Sequence, residues 1–452
     1  MNKAELSSGF FMRRLPETRS RPEDWLALAI LAFALVLAGT ARTALNGVIE
    51  LAGTALLALL VWNGGWTRPM RLAAALCGIL FALMLVQIVP LPFDAWAAMP
   101  GRETAAQIVR HAGGGGWQAI SLAPWTTLGV VPTLLPVAAL AIWAAGAGET
   151  ALRRAAWLVV LVAMASGLLG LFQFAGSDLY LRGNGHNGAA TGLFANRNHL
   201  ASLCAMAIAL LPLVAGSSRA DRTPWGALLA IAFLLLTVLA TTSRAGIALA
   251  LLASVATAAS LLGANRRGKG IPVIGWIAIA LVLGGAGFVL LDPQILPIFA
   301  RFSGGPEDYR FAIWADTLYA ARQFLPWGTG FGTFEPVYAS VETLETMSFA
   351  QVNEAHNEYL QVLLEGGLPF AIAGLAVLIF LGIGLIRALF AGDAGTRAIG
   401  IAVLLALLHS VVDFPMRNYA ILLGFTVFAA RLLAVPGRIS GEHGTAVEGS
   451  YE

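Results

Sequence analysis

The sequence predicts an all-α polytopic membrane protein of about twelve transmembrane helices, with a large helical loop between helices 9 and 10. Three observations carry that prediction. The 452 residues are 58% hydrophobic and only 12% charged, a balance foreign to soluble domains. Apolar runs of about 20 residues recur along the whole chain, each long enough to cross a bilayer core of roughly 30 Å. When those runs are taken as spans, the basic residues sort to one side, as they do in membrane proteins.

The runs lie at 25–40, 47–62, 70–90, 127–146, 153–175, 199–216, 225–241, 244–262, 271–291, 368–388, 396–413 and 418–435. Glu50 intrudes near the start of the second. Pro132 and Pro136 predict a kink or a late start in the fourth, because proline removes a donor and clashes with the preceding turn. With the N-terminus in the cytoplasm, 18 of the 28 basic residues fall inside, mostly in short loops, with 10 of the 25 acidic ones. The net charge is then +8 inside and −5 outside, which sums to the +3 of the chain. An even helix count places both termini inside.

The organisation that follows is a cytoplasmic tail over 1–24, helices 1–9 over 25–291, an outer loop domain over 292–367, helices 10–12 over 368–435 and a second cytoplasmic tail over 436–452. Arg13, Arg14, Arg19 and Arg21 are followed by no small-residue cleavage site, so they read as a cytoplasmic flank and not as a removed signal. Cys77 and Cys204 both sit in apolar runs. They read as small buried hydrophobes, with no disulfide framework and no cysteine metal site.

Three outer segments stand out: 91–126, with the glycine-rich run His111–Trp117 expected to be flexible, 176–198, and 292–367, the largest hydrophilic piece. Chemistry or binding therefore belongs on the outer, periplasmic side. In the largest segment Ser348-Phe-Ala-Gln351 has the capping-box pattern, which predicts a helix from Phe349. Apolar residues follow at 349, 352, 355, 359, 360, 363 and 364, and Gly366-Gly367 and Pro369 end the run. On that helix His356 lies on the apolar face, while Glu354, Glu358, Gln361 and Glu365 point outward. A hydrogen-bonded core histidine and a functional one both fit this position. A second helix is predicted over 308–325, with Arg310 and Trp314 one turn apart. The following "PWGTGFGTFEPVY" has no strand before it and no lysine after it, which excludes a nucleotide loop. It reads as a tight re-entrant turn with interfacial aromatics, or as a sugar-stacking surface of Trp314, Trp327, Phe334 and Tyr338.

Arg244 in "TTSRAG" sits in a turn so short that it must lie at the membrane edge; a functional cation and a snorkelling side chain are both compatible with that. "FANRNHLA" places Asn196, Arg197, Asn198 and His199 at the start of a span, where a helix N-terminus attracts anions. Asp413, with His409 four residues before it, Arg417 four after and Pro415 between, reads as structural pairing. The chain lacks zinc-ligand spacings, HExxH and GxSxG. Arginines, amides and a histidine on an apolar wall suit a metal-free reaction of an anionic, membrane-borne substrate, since guanidinium grips phosphate in a bidentate fashion.

The stretches "HNEYLQVLLEGGLP", "TTSRAG" and "FANRNHLA", with Arg310-x3-Trp314 followed by "PWGTGFGTF", resemble the O-antigen ligase and polymerase superfamily of bacterial inner membranes over roughly residues 190–375. Members carry His-Asn, nine residues, Gly, two residues, then Gly, Thr or Val. Here His356-Asn357 is followed by residues 358–366, Gly367, Leu-Pro and then Phe370, a departure at the last position. The resemblance implies a GT-C-like, all-helical glycosyltransferase. It would take a glycan from undecaprenyl pyrophosphate outside the cytoplasmic membrane, with no metal or other cofactor and no nucleic acid partner. It implies His356 as base for the acceptor hydroxyl and Arg244 and Arg310 as holders of the pyrophosphate. Arg197 and Asn198 become further anion contacts, and Asn357, Trp314 and Tyr359 substrate-binding residues. The acceptor, a glycan or a lipid, stays open between ligase and polymerase. Two other classes remain, an anion transporter and a scaffold without chemistry. Against transport, Gln87 and Gln173 are the main polar residues deep in spans, and no inverted repeat is visible.

Overall fold

The computed structural model describes residues 21–37, 44–181, 188–215, 225–263, 309–343, 351–391 and 393–435. The predicted ninth span, 271–291, lies outside them, as do Ser348, Phe349 and all of 292–308. The described residues form sixteen α-helices and one two-stranded sheet. Helices α1 (Pro22–Leu37), α2 (Ala44–Asn63) and α3 (Arg68–Val86) lead into a small outlying unit. In it β1 (Pro90–Pro92) pairs antiparallel with β2 (Trp117–Ala119), around the short helices α4 (Phe93–Ala97) and α5 (Glu103–His111). The chain continues through α6 (Pro124–Val130), α7 (Leu134–Gly146), α8 (Glu149–Phe174), α9 (Arg197–Ala215), α10 (Trp225–Ala240) and α11 (Arg244–Gly263). Then follow α12 (Tyr309–Phe324), α13 (Phe334–Ala339), α14 (Glu358–Leu389), α15 (Ala394–His409) and α16 (Tyr419–Leu432). Among the described residues seven helices are long and apolar enough to cross a membrane, and α10, α15 and α16 are shorter apolar helices.

The proline expectation has a physical counterpart: a 3-10 turn at Val131–Thr133, containing Pro132, separates α6 from α7. The glycine run before Trp117 leads directly into β2 and its ladder. Buried Arg102 fixes this unit to the rest. Its Nη2 donates to Ile120 O (2.6 Å) and to Gly328 O (3.0 Å), and burial pushes the guanidinium down to about 10.

Helix α9 is the centre of the bundle, packed against α8, α10, α11 and α15. Its Ala201, Ser202, Cys204, Ala205, Ala207 and Ala209 are all buried. Small residues let helix backbones approach closely where hydrocarbon offers no hydrophobic drive. Gly246 of α11 is the tightest example: a Cβ there would stand 2.4 Å from Ala201 Cβ.

Contacts at helix ends define two ends of the bundle. At one, Trp143 donates to Asp24 (2.9 Å), Arg154 stacks on Trp25, and Gly395 meets Leu213. At the other lie the starts of α9, α11 and α14 and the end of α15. There Glu50, the intruder in the second apolar run, accepts a 2.8 Å hydrogen bond from Tyr419. Gln87 and Gln173 anchor loops at this end. The Gln87 amide joins Glu365 O to Phe331 N. Gln173 Oε1 accepts from Thr191 N and Gly192 N, and its Nε2 donates to Leu179 O. Both amides are spent on backbone groups, as a buried polar group must be.

The predicted helix start at Phe349 lies outside the described residues, and the helix predicted to run on from it is corrected. Residues 351–357 are not helical, and α14 begins at Glu358 with Asn357 as N-cap, its Oδ1 accepting from Tyr359 N and Leu360 N (3.1 Å each). His356 stands in the left-handed region (φ 51°), which no helix interior allows. The predicted outward face is also corrected: Glu358, Gln361 and Glu365 are buried, and Tyr359 and Leu368 are the exposed residues. In lipid the polar side of a helix turns inward. The helix is kinked at Gly367 (φ 65°), where a Cβ would stand 2.3 Å from Pro326 O. Loop 326–330 docks on that kink through Leu368 N to Pro326 O, Thr329 N to Leu364 O and Gly330 N to Glu365 O.

Gly246→Ala should lower the thermal midpoint of the detergent-purified protein, costing about 1–3 kcal/mol by overpacking. Gly47→Ala, inside α2 with nothing within 4 Å of its Cβ, should be neutral or stabilising by up to about 1 kcal/mol.

Candidate functional site

The site is organised by Asp413, whose side chain is 1% exposed. It lies in the 410–418 turn between α15 and α16, where Pro415 starts a 3-10 turn and prevents α15 from continuing. Three elements converge on it. Arg310, in the first turn of α12, places Nη2 3.6 Å from Asp413 Oδ2. His356, in the loop before α14, places Nδ1 3.5 Å from Oδ1. Asn198, at the start of α9, donates its side-chain amide to Oδ2. The His356 separation is long for a hydrogen bond and short enough for strong coupling. Burial alone would raise the Asp413 carboxyl. The His356 contact and the neighbouring His409 and His199 outweigh it and hold the group below the ordinary carboxylate range.

The His356 ring is fixed by Phe414, edge to face at 4.9 Å, and Phe414 meets His199 on another side at 5.4 Å. Trp314, one turn beyond Arg310, donates Nε1 to His356 O (3.3 Å). Among the described residues only Thr242 (φ 54°) and His356 (φ 51°) are non-glycine residues with positive φ. Both lie at this end of the bundle, and strained backbone of that kind collects at functional sites. The Thr242 turn leads into Arg244, which opens α11, and Thr242 Oγ1 accepts from Arg197 Nη1 (2.6 Å). Arg197 is the neighbour of Asn198, so the α9 start joins the Arg244 turn to the Asp413 cluster.

The sequence-predicted residues therefore divide. Arg310, His356, Asn198 and Trp314 are brought together. Arg197 and Arg244 are linked to them through the α9 start. Asn357 spends its side-chain oxygen on capping α14, and Tyr359 donates to Leu407 O of α15 (3.0 Å). Phe334 and Tyr338 stack on each other in a buried cluster, which overturns the sugar-stacking surface for those two. Asp413 is a correction: its side chain faces Arg310, His356 and Asn198, while only its backbone N–H stays with its own stretch, donating to His409 O (3.0 Å). His409 Nδ1 is instead 2.5 Å from Ser202 Oγ. Arg417 is 3.0 Å from Glu365, 3.4 Å from Glu358 and 4.0 Å from Glu354. A proline two residues after a polar Asp is the sequence signal that could have released Asp413 from helical pairing. Among the described residues no group of three or more His, Cys, Asp and Glu is placed to hold a metal ion.

A membrane-type helical bundle with a polar, arginine-bearing site at one helix end is the class that these observations define. Residues 229–375 match the O-antigen ligase family model, and over that stretch the likeness to the O-antigen ligase and polymerase superfamily is borne out. The matched stretch contains Arg244, Arg310 and His356 and ends before Asp413. No curated protein matches the chain.

A carboxylate held low when folded contributes stability that is complete above its unfolded value of about 3.9 and is lost as pH falls through and below it. The thermal midpoint should therefore drop on acidification below about pH 4, and Asp413→Asn should flatten that drop, read from melting curves of both proteins between about pH 3 and pH 6.

Proposed function

We propose that the chain is a glycosyltransferase of the ligase type, moving a glycan from undecaprenyl pyrophosphate to an acceptor hydroxyl at the periplasmic face of the inner membrane. The observation that carries this is the Asp413–His356 pair beside Arg310, at the end of the bundle where α9, α11 and α14 all begin. Helix N-termini and guanidinium groups favour the same ligand, an anion with several oxygens. The polyprenyl tail would stay in the bilayer beside the apolar helices.

In this reading Nδ1 of His356 is turned to Asp413, which leaves Nε2 to face the acceptor. Nε2 takes the proton from the acceptor hydroxyl as its oxygen bonds to the sugar's anomeric carbon. The bond from that carbon to the phosphate oxygen breaks, and the lipid pyrophosphate departs with the electron pair. Arg310, Arg244 and Arg197 neutralise the charge that develops on it. Asp413 orients the imidazole and stabilises its protonated form, as the carboxylate does in other base dyads. Arg310 thus has two roles, balancing Asp413 and meeting the leaving group.

The test uses full-length protein in nanodiscs with an undecaprenyl-pyrophosphate-linked glycan. Two acceptors are offered separately, a lipid A core and a second lipid-linked repeat. His356→Ala should lower the transfer rate by about 10²–10⁴-fold, the usual worth of a general base. Arg310→Gln should do so with weaker donor binding. Product on the core alone supports ligation, and product only on the lipid-linked repeat means that the chain is a polymerase. Unchanged transfer by His356→Ala would remove the base from this scheme.

A further inference from the structure

Building on the base role of His356, we propose that Arg417 is a positioning residue for that histidine, tying down the chain on both sides of it. His356 sits at φ 51°, and an L-residue holds that conformation only where its surroundings over-determine it. Glu354, two residues before the histidine, and Glu358, two residues after it, both reach the same guanidinium Nε, at 4.0 Å and 3.4 Å. The chain between the two carboxylates, which bends at Glu354 and at His356, is thereby held from both sides by one side chain.

Further bonds close the clamp. Gln361 joins the two sides: its Nε2 donates to Glu354 Oε2 (2.5 Å), and its Oε1 accepts from Ala355 N (2.9 Å). Glu358 N donates to Ser410 O (3.0 Å), and Glu358 Oε1 accepts from Met416 N (2.8 Å). The loop carrying the histidine is thus fastened to the same turn that carries Asp413. Arg417 itself is rigid, since Nη2 is 3.0 Å from Glu365, which is fully buried and accepts from Gly332 N and Phe334 N. Three carboxylates around one guanidinium raise its pKa against the opposing effect of burial, so it stays charged. The guanidinium reaches Glu354 and Glu358 through Nε and Glu365 through Nη2, a rigid planar spread that the compact ammonium of a lysine does not have.

Without the clamp, the His356 backbone relaxes out of the left-handed region and the imidazole leaves Asp413. The loss is therefore one of geometry at His356 and belongs to the transfer step. Arg417 is four residues from Asp413 and spends its donors on glutamates, so it is not assigned a contact with substrate.

A double-mutant cycle separates this role from general damage. The assay uses membranes from a host strain lacking the chain, with its own lipid-linked glycan and acceptors, complemented at matched protein levels. Initial transfer rates are compared for wild type, Arg417→Gln, His356→Ala and the double variant. Arg417→Gln should cost about 100-fold in the wild-type background, the scale of a 1 Å misplacement. It should change the residual His356→Ala rate by less than about twofold, because residues acting as one unit are not additive. Equal losses in both backgrounds, or no loss in wild type, would overturn the proposal. Activity of His356→Ala equal to wild type would sink the base role itself, a separate result. If Arg417→Gln fails to accumulate, Gln361→Ala, which removes the links to Ala355 and Glu354 and leaves the guanidinium in place, runs through the same cycle with the same criteria.

Discussion

A carboxylate nearly sealed from water cannot stay ionised alone, and Asp413 is such a group. Taking an ion out of water costs several kcal/mol unless opposite charge and donors come to it. The chain meets that demand from three distant places, Arg310, His356 and Asn198, together with the Asp413 turn's own backbone, since Phe414 N donates to Oδ1 (2.8 Å). Once this cluster is fixed, the rest of this end has little freedom. The start of α9 must face the end of α15, α12 must lie over the loop before α14, and that loop must bend back at His356.

The same rule runs through the spans. Polar side chains in the bundle are spent on specific partners, Gln87 and Gln173 on backbone groups, half-buried Glu50 on Tyr419 and Thr257 on the Ile208 carbonyl of α9. Glycines do the complementary work. They admit backbone where a methyl would not fit, at Gly246 against Ala201, at Gly367 against Pro326, and at Gly330 against Ser121. Buried amides and bare backbone thus hold loop 326–334 on the kink of α14, which lies one helical segment from the catalytic candidates.

What is legible in the sequence follows from this division. Span positions rest on hydropathy, which is written residue by residue, and α2, α3, α8, α9, α10 and α11 lie where the apolar runs lie. His356, Arg310 and Asn198 can be named as a set because their motifs are local. Asp413 cannot, because its partners are 57, 103 and 215 residues away in the chain. The i±4 rule instead offers His409 and Arg417; His409 O does accept from Asp413 N (3.0 Å), but after Pro415 Arg417 turns to the glutamates. The helix start is hidden for a related reason. Two caps compete in 348–358, Ser348 and Asn357, and side-chain pattern alone does not reveal that His356 is left-handed. The inward turn of Glu358 and Glu365 is hidden because amphipathic periodicity presumes water on the polar side, whereas these carboxylates turn to the distant Arg417.

The arginines at this end differ in what surrounds them, and that difference decides their roles. Around Arg417 the carboxylates of Glu354, Glu358 and Glu365 outnumber the guanidinium by three to one. Those carboxylates already occupy its Nε and Nη2, so Arg417 is a fastening and not a receptor. Around Asp413 a single carboxylate is balanced by Arg310, with His356 beside it and the positive ends of α9, α11 and α14 at the same end of the bundle. An anion entering there is met by more positive than negative groups, and each positive group is held by something else: Arg310 by Asp413, Arg197 by Thr242, the His356 ring by Phe414. Preorganised charge of that kind costs nothing to rearrange when a leaving group becomes anionic. The glutamate cluster lies next along the same turn. It occupies the donors of Arg417, so that on the proposed reading the Asp413 side is where the lipid pyrophosphate settles.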